Sequence, residues 1–284
     1  MRVSAVAPWT CPTCNVPVAT VYCSTCGEKH KDPREFTLRG LAHMTYNAFS
    51  PIDGKVMRSI SALLRRPGSL TMAFQRAQRI PYLGAFQLFI LTNVLFFAVQ
   101  SAGRMAVFNQ PLADRVSDND VFSSISRAFV EPHLARIGKT VAEYAPLFDQ
   151  AVAVNAKSMI GLMVPPFALL LPLVFWRRPQ PLAVHMVFSL HFYAFLLMLF
   201  CVPLVAMEIS AFLGGPAIPP LPVDQAMSYG IALACSVYLY LAMGAVYGAR
   251  GLARVAQTAV LMAAAIWIFL IYRAALLPIT LFTT

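Results

Sequence analysis

The chain has 284 residues, 58% hydrophobic and 12% charged, with a formal net charge of +10. A soluble domain is about half apolar and about one quarter charged, so this composition excludes an ordinary water-soluble body: too little polar surface remains to cover one. The positive charge would suggest nucleic acid in a soluble protein, but Lys and Arg here flank apolar runs, as positive-inside topology demands, and nucleic acid is disfavoured.

Residues 1–30 are Cys-rich and lack long apolar runs. Met1 to Thr10 carries Arg2 but no apolar h-region, so no secretory signal is expected and the first span must act as its own insertion signal. Cys11-Pro-Thr-Cys14 and Cys23-Ser-Thr-Cys26 are two C-x-x-C pairs with a short spacer. Each pair can place two thiolates on one metal through a knuckle turn, and two facing knuckles complete a tetrahedral four-thiolate site. Gly27 follows the second pair, where a knuckle needs positive φ. Zn2+ in a closed, structural zinc ribbon is the leading reading; iron in a rubredoxin-like site and a redox dithiol are the alternatives. Thirty residues cannot build a core, so the metal is expected to carry the fold of this piece. Cys201 and Cys235 fall in apolar runs and read as core.

Residues 31–82 are basic and read as juxtamembrane amphipathic helices. Leu38, Leu41, Ala42, Thr45 and Phe49 form one stripe, and Val56, Ile60, Leu63 and Leu64 a second that ends at Pro67-Gly68. A third helix is expected with Ser69 as its cap, ending near Pro81. Arg39, Lys55, Arg58, Arg65, Arg66, Arg76 and Arg79 are the cations of this stretch, candidates for contact with anionic lipid at the membrane surface.

Five spans are expected within a transmembrane domain of residues 83–284: about Tyr82 to Ala102, Met159 to Trp176, Leu182 to Phe212, Gln225 to Gly248 and Val255 to Phe282. Between the first two lies a mixed-charge stretch, 104–158, with six basic and six acidic residues. It reads as an extracytoplasmic loop of two amphipathic helices meeting near Pro132. No internal repeat is visible. The predicted fold is therefore an all-α polytopic membrane protein of about five transmembrane helices with a small N-terminal zinc ribbon.

Residues 1–83 hold 11 Lys and Arg against 4 Asp and Glu, and the segments 177–181 and 249–254 carry two Arg each and no acid. All three share one side if the spans number five, and positive-inside bias makes that side cytoplasmic. Disulfides among Cys11, Cys14, Cys23 and Cys26 are disfavoured in that reducing compartment.

Here the chain resembles an uncharacterised bacterial family of zinc-ribbon multi-span membrane proteins, known only as a domain of unknown function. The resemblance covers about residues 11–100. It is carried by the double knuckle, then Leu63-Leu64-Arg65-Arg66-Pro67-Gly68, Arg76 and Arg79 before Tyr82, and Asn93 in the first span. It implies a bacterial inner-membrane location and supplies no activity.

Polar residues within spans are functional candidates by default. They are Asn93, His185, His191, Glu208 and Arg273. A Glu208–Arg273 pair between the third and fifth spans is plausible. His185 and His191 are six apart, about 240° around a helix, so they do not share a face. Gly244-x-x-x-Gly248 is a weak signal for close helix contact. No H-E-x-x-H, G-x-S-x-G, Walker A or G-x-G-x-x-G occurs. Three functions follow in order of preference. The first is a non-enzymatic scaffold or regulatory subunit that docks a protein partner through its ribbon. The second is a transporter or channel component, acting as a homo-oligomer. The third is a membrane enzyme acting on lipid-linked substrate.

Overall fold

The computed structural model describes residues 8–30, 54–78, 80–102, 111–117, 123–214 and 221–284. The N-terminal module holds β1 (Trp9–Thr10) and β2 (Pro17–Val18), paired antiparallel. Then follow α1 (Lys55–Arg65), α2 (Ser69–Gln75), α3 (Ala85–Ala102), α4 (Leu112–Arg115), α5 (Ser123–Ile137) and α6 (Val141–Met159). A 3-10 turn at Ile160–Met163 leads into α7 (Val164–Val174), and α8 (Leu182–Phe212), α9 (Leu221–Tyr247) and α10 (Gly251–Thr283) complete the chain. The stripe expected over residues 38–49, with Arg39, lies outside the described residues, as does Arg79.

Four helical stretches are long and apolar enough to cross a bilayer: Val141–Val174, Leu182–Ser210, Gln225–Tyr247 and Gly251–Thr283. The expected first span is the shorter apolar helix α3, 18 residues long, or about 27 Å at 1.5 Å per residue. The protein is thus a helical membrane protein with four long spans and one short one. The second span begins earlier than expected. Helix α6 passes without a break through the 3-10 turn into α7, making 34 residues. The tightening falls just before Pro165 and Pro166, whose missing N–H groups leave two carbonyls of the preceding turn without an α-helical partner.

The break in the 104–158 stretch is not at Pro132, which lies inside α5. The chain turns at Gly138 (φ +67°). Thr140 then caps α6: its side chain accepts from the Glu143 N–H while the Glu143 carboxylate accepts from Thr140 N–H at 2.7 Å. Glycine in the left-handed region and a reciprocal capping box end and restart helices more firmly than a proline ten residues into one.

Helix α8 is the hub, packing against α1, α2, α3, α7 and α9. Its residues from Ala183 to Leu197 are almost all buried, including Val187, Phe188, Phe192, Tyr193 and Ala194. An all-round apolar helix belongs at the centre of such a bundle. Helix α10 runs against α6 along a polar seam. Tyr272 Oη donates to Ala156 O at 2.8 Å, Asn155 Nδ2 donates to Thr280 Oγ1 at 3.2 Å, and the Tyr144 hydroxyl meets Thr284 Oγ1. Between membrane helices such bonds supply association that hydrophobicity cannot, because lipid is as apolar as the interface.

Helix α2 departs most from the surface-lying helices the sequence suggests. It packs against α8 and α9, with Leu70, Thr71 and Ala73 buried. Thr71 Oγ1 lies 2.9 Å from His191 Nδ1, nine residues into α8, so α2 is a wedge entering the bundle to about 13 Å along α8. Gly68 caps it, not Ser69: Gly68 has φ +82°, and no side-chain cap bond is made. A Cβ there would lie 3.0 Å from Ala242 O and 3.1 Å from Ala245 Cβ. Glycine is therefore needed both for the turn and for the approach of the chain to α9. The inward face of α1 is also rotated from the expected stripe. Ser59, Ala62 and Leu63 are buried, while Leu64 is exposed. Ser59 turns inward because its Oγ accepts the Leu83 N–H at 2.8 Å.

Candidate metal centre and its attachment to the bundle

The two C-x-x-C pairs form two copies of one local structure, offset by twelve residues. Asn15 N–H donates to Cys11 O and Cys11 N–H to Val16 O; Gly27 N–H donates to Cys23 O and Cys23 N–H to Glu28 O. The Thr10–Pro17 pair of the hairpin recurs as the Tyr22–Lys29 bridge. Gly27 has φ +74°, as its position after a knuckle requires, and Asn15 takes the equivalent place at φ +58°. Asn is the residue that enters this region most readily after Gly. This repeat lies in the hydrogen bonding; few residues beyond the cysteines are shared, which is why sequence inspection misses it.

The turns bring the four cysteines together. Cys11 Sγ and Cys26 Sγ are 3.4 Å apart, Cys14 Sγ and Cys23 Sγ 3.5 Å, and all four sulfurs lie within 4.8 Å of one another. A tetrahedral ion with metal–sulfur bonds of about 2.3 Å requires sulfurs about 3.8 Å apart. Donor set and spacing therefore fit a single metal ion held by Cys11, Cys14, Cys23 and Cys26. Cys11 and Cys23 are buried; Cys14 and Cys26 are half-buried. The apolar cluster behind them holds only Val18 as a fully buried aliphatic side chain, so a bound ion would supply, through metal–sulfur bonds, stability that so small a core cannot.

The thiols are unequal. Backbone N–H groups of Cys26 and Thr25 hold Cys23 down to about 6. Cys26 receives a stabilising backbone N–H from Glu28, yet burial and the three neighbouring sulfurs push it up to about 12. Cys14 is also raised: the Val16 N–H opposes the shift, and burial and its sulfur neighbours outweigh it. At neutral pH the metal-free cluster is thus a thiolate at Cys23 with protons retained on Cys14 and Cys26. Metal uptake must displace those protons. Zinc titration of metal-free protein at about pH 7.5, in buffers of different ionisation enthalpy, should give a buffer-dependent heat from proton release. A heat independent of buffer would mean that Cys14 and Cys26 had already lost their protons.

The ribbon is fastened to the membrane bundle. Gln78 Nε2 donates to Pro12 O at 2.6 Å, Ile80 N–H points at Glu28 Oε2 at 3.5 Å, and the Ile80 side chain packs over Gly27. Glu28 is 1% exposed and also accepts from Thr13 Oγ1 at 2.6 Å. Pro12 and Thr13 belong to the first knuckle, Gly27 and Glu28 to the second, so the two knuckles together grip Gln78 and Ile80. That strap continues to Pro81, whose carbonyl accepts from Arg58 Nε at 3.1 Å, and to Leu83, held by Ser59. The next residues open α3. Neither Glu28 nor Gln78 carries a local sequence signal, because their partners are about 15 to 66 positions away.

The remaining predicted residues are dispersed. His185 is buried on α8, 2.8 Å from the Tyr247 hydroxyl and stacked on that ring, and His191 faces Thr71. The two histidines therefore serve different helix contacts, as their spacing implies. Asn93 is half-buried on α3. Glu208 is exposed on α8, and Arg273 is half-buried with its guanidinium over the Phe269 ring. Among the described residues no ion pair joins Glu208 to Arg273. Arg58, Arg65, Arg66 and Arg76 are exposed and Lys55 half-buried. Cys201 and Cys235 are core residues, the former donating to Leu197 O.

Gly244 and Gly248 have a different role from the helix contact their spacing suggests. A Cβ at Gly244 would collide with the Arg254 guanidinium, and one at Gly248 with that of Arg178. Arg254 Nε donates to Tyr240 O at 2.6 Å and lies over the Tyr240 ring, and Arg178 donates to Tyr247 O. The glycines make room for two cations at the carbonyl end of α9, where the helix dipole favours positive charge.

A cavity of about 190 Å³ between the 3-10 turn, α7 and α10 is lined by Met, Leu, Ile, Ala and Pro side chains and by Tyr272. The Tyr272 hydroxyl is already bonded to Ala156 O. No family model, curated protein or solved structure matches this chain, so the functional reading rests on the site itself.

Proposed function

We propose that the protein is a non-enzymatic membrane scaffold or regulatory subunit whose zinc-loaded ribbon is a docking module for a protein partner at the cytoplasmic face. The observation that carries this reading is the double grip of the knuckles on Gln78 and Ile80. It seats a small metal-held knob at a fixed place on the bundle, while the four sulfurs face one another and leave no open position for catalysis. Zinc is the preferred ion because it takes four thiolates without redox chemistry. The charge bias of residues 1–83 supports a cytoplasmic N-terminus, and the resemblance over residues 11–100 supports a bacterial inner membrane.

Among the described residues of the ribbon, Tyr22, 59% exposed beside the second knuckle, is the large apolar side chain on offer to a partner. The test compares affinity capture from native membranes with the wild-type chain, Cys11→Ser/Cys14→Ser and Tyr22→Ser. Proteins held by the wild type should be lost with the cysteine variant and reduced with Tyr22→Ser, which keeps the metal. A partner set identical across all three chains would refute docking through the ribbon.

A further inference from the structure

The structure brings the ends of three separate segments into one junction. Gly68, just after Arg65 and Arg66, lies against Ala242 and Ala245 of α9. Gln75, the last residue of α2, donates through Nε2 to Gln180 Oε1 at 3.3 Å, in the loop that carries Arg177 and Arg178. Arg178 bonds the carbonyl of Tyr247, the last residue of α9, three residues before Arg250. Aromatic stacking packs the junction: the Tyr247 ring lies on Phe175 at 4.0 Å and 4°, and on His185 at 5.5 Å and 11°.

Five arginines around this junction are exposed, Arg65, Arg66, Arg76, Arg177 and Arg250, whereas Arg178 and Arg254 are engaged with α9 carbonyls. Residues 54–78, 177–181 and 249–254 contain no Asp or Glu. The described acidic residues lie elsewhere, in the ribbon (Glu28), on α4 to α6, near the far end of α8 (Glu208) and in the first turn of α9 (Asp224). Two side chains set the depth of the junction. Trp176 is 69% exposed with the Arg177 guanidinium 4.9 Å from its ring, and Leu252 is 84% exposed beside Arg250. An exposed Trp and Leu beside arginines, at the ends of spans, mark the boundary where hydrocarbon meets headgroups.

We infer that this junction is a binding site for the phosphate headgroup of an anionic phospholipid, with Arg65, Arg66, Arg177 and Arg250 as its cations and Trp176 against the acyl-chain boundary. Guanidinium groups fork onto phosphate oxygens, and among the described residues the three segments hold no carboxylate to compete with the lipid. The site is a product of the wedge, because the seating of α2 in the bundle brings Arg65 and Arg66, at the end of α1, to loops that lie more than a hundred residues further along the chain. It stands whether or not the ribbon docks a protein.

The experiment uses full-length protein with Trp9→Phe and Trp267→Phe, so that Trp176 alone fluoresces, reconstituted in vesicles doped with brominated phosphatidylglycerol or brominated phosphatidylcholine. The brominated anionic lipid should quench Trp176 several-fold more effectively at equal mole fraction. That preference should be abolished in Arg65→Gln/Arg66→Gln and in Arg177→Gln/Arg250→Gln, since each arginine near an anionic surface carries roughly a fivefold factor. Arg136→Gln/Lys139→Gln, on the 123–159 helices, should leave it unchanged. The paired variants are read separately, each with its metal content and melting temperature, so loss of fold is distinguished from loss of the site. Equal quenching by the two lipids, or a preference unaltered in both pairs, would overturn the proposal. So would competition by inorganic phosphate, which would show a site for soluble anions instead of lipid.

Discussion

Replacing Cys11 and Cys14 by serine is expected to abolish metal binding and to loosen the strap between the ribbon and α3 along with the ribbon itself. Metal content should fall from one ion per chain to none, because two of four ligands are lost and serine does not substitute for thiolate. Structural zinc contributes apparent binding energies of about 10–16 kcal/mol in small ribbons, far beyond what Val18 and its half-buried neighbours can supply. The strap follows because its anchors are Pro12 O, Glu28 and the surface of Gly27, all parts of the knuckles. Hydrogen exchange on the full-length protein in lipid discs would show faster exchange over residues 80–84 with no change within α8. Strap protection unchanged by metal loss would mean that Arg58 and Ser59 hold it unaided.

The second large effect is expected at Gly68. Gly68→Ala places a methyl group 3.0 Å from the Ala242 carbonyl and 3.1 Å from Ala245 Cβ, at a backbone with φ +82°. The left-handed conformation costs about 1–2 kcal/mol for an L residue, and overpacking adds about 1–3 kcal/mol. Gly138→Ala is the matched control: φ is +67°, and nothing lies within 4 Å. It should lose only the conformational part. Thermal unfolding in one detergent should therefore rank wild type above Gly138→Ala, and Gly138→Ala above Gly68→Ala. Equal losses would show that α9 yields to the methyl group and that the wedge is loosely seated.

Several features of this molecule are legible in the order of its amino acids. Long apolar runs require lipid, and the helix Leu182–Phe212 has the limits its sequence implies. The cysteine spacing brings together four thiols that could hold a metal ion, since each knuckle closes over four residues. Gly27 takes positive φ for the same reason. Where sequence reasoning fails, the competing influence is identifiable. Pro132 reads as the helix boundary, but Gly138 and the Thr140 cap decide it. The stripe on α1 reads as Val56, Ile60, Leu63 and Leu64, but a hydrogen bond to Leu83 turns Ser59 inward. Gly244 and Gly248 read as a helix-packing motif, but Arg254 and Arg178 occupy the space they leave.

The sequence by itself determined which stretches leave water and which side chains could hold a metal ion, because run length, periodicity and ligand spacing are properties of neighbouring residues. Tertiary structure alone decided that α2 enters the bundle, that the ribbon is strapped to it through Gln78 and Ile80, and that three arginine-bearing segments touch one another around Gly68 and Tyr247. Those arrangements join groups up to 120 positions apart, as Thr71 and His191 are. Such contacts are selected by shape and hydrogen-bond satisfaction in the packed bundle, and no local pattern encodes them.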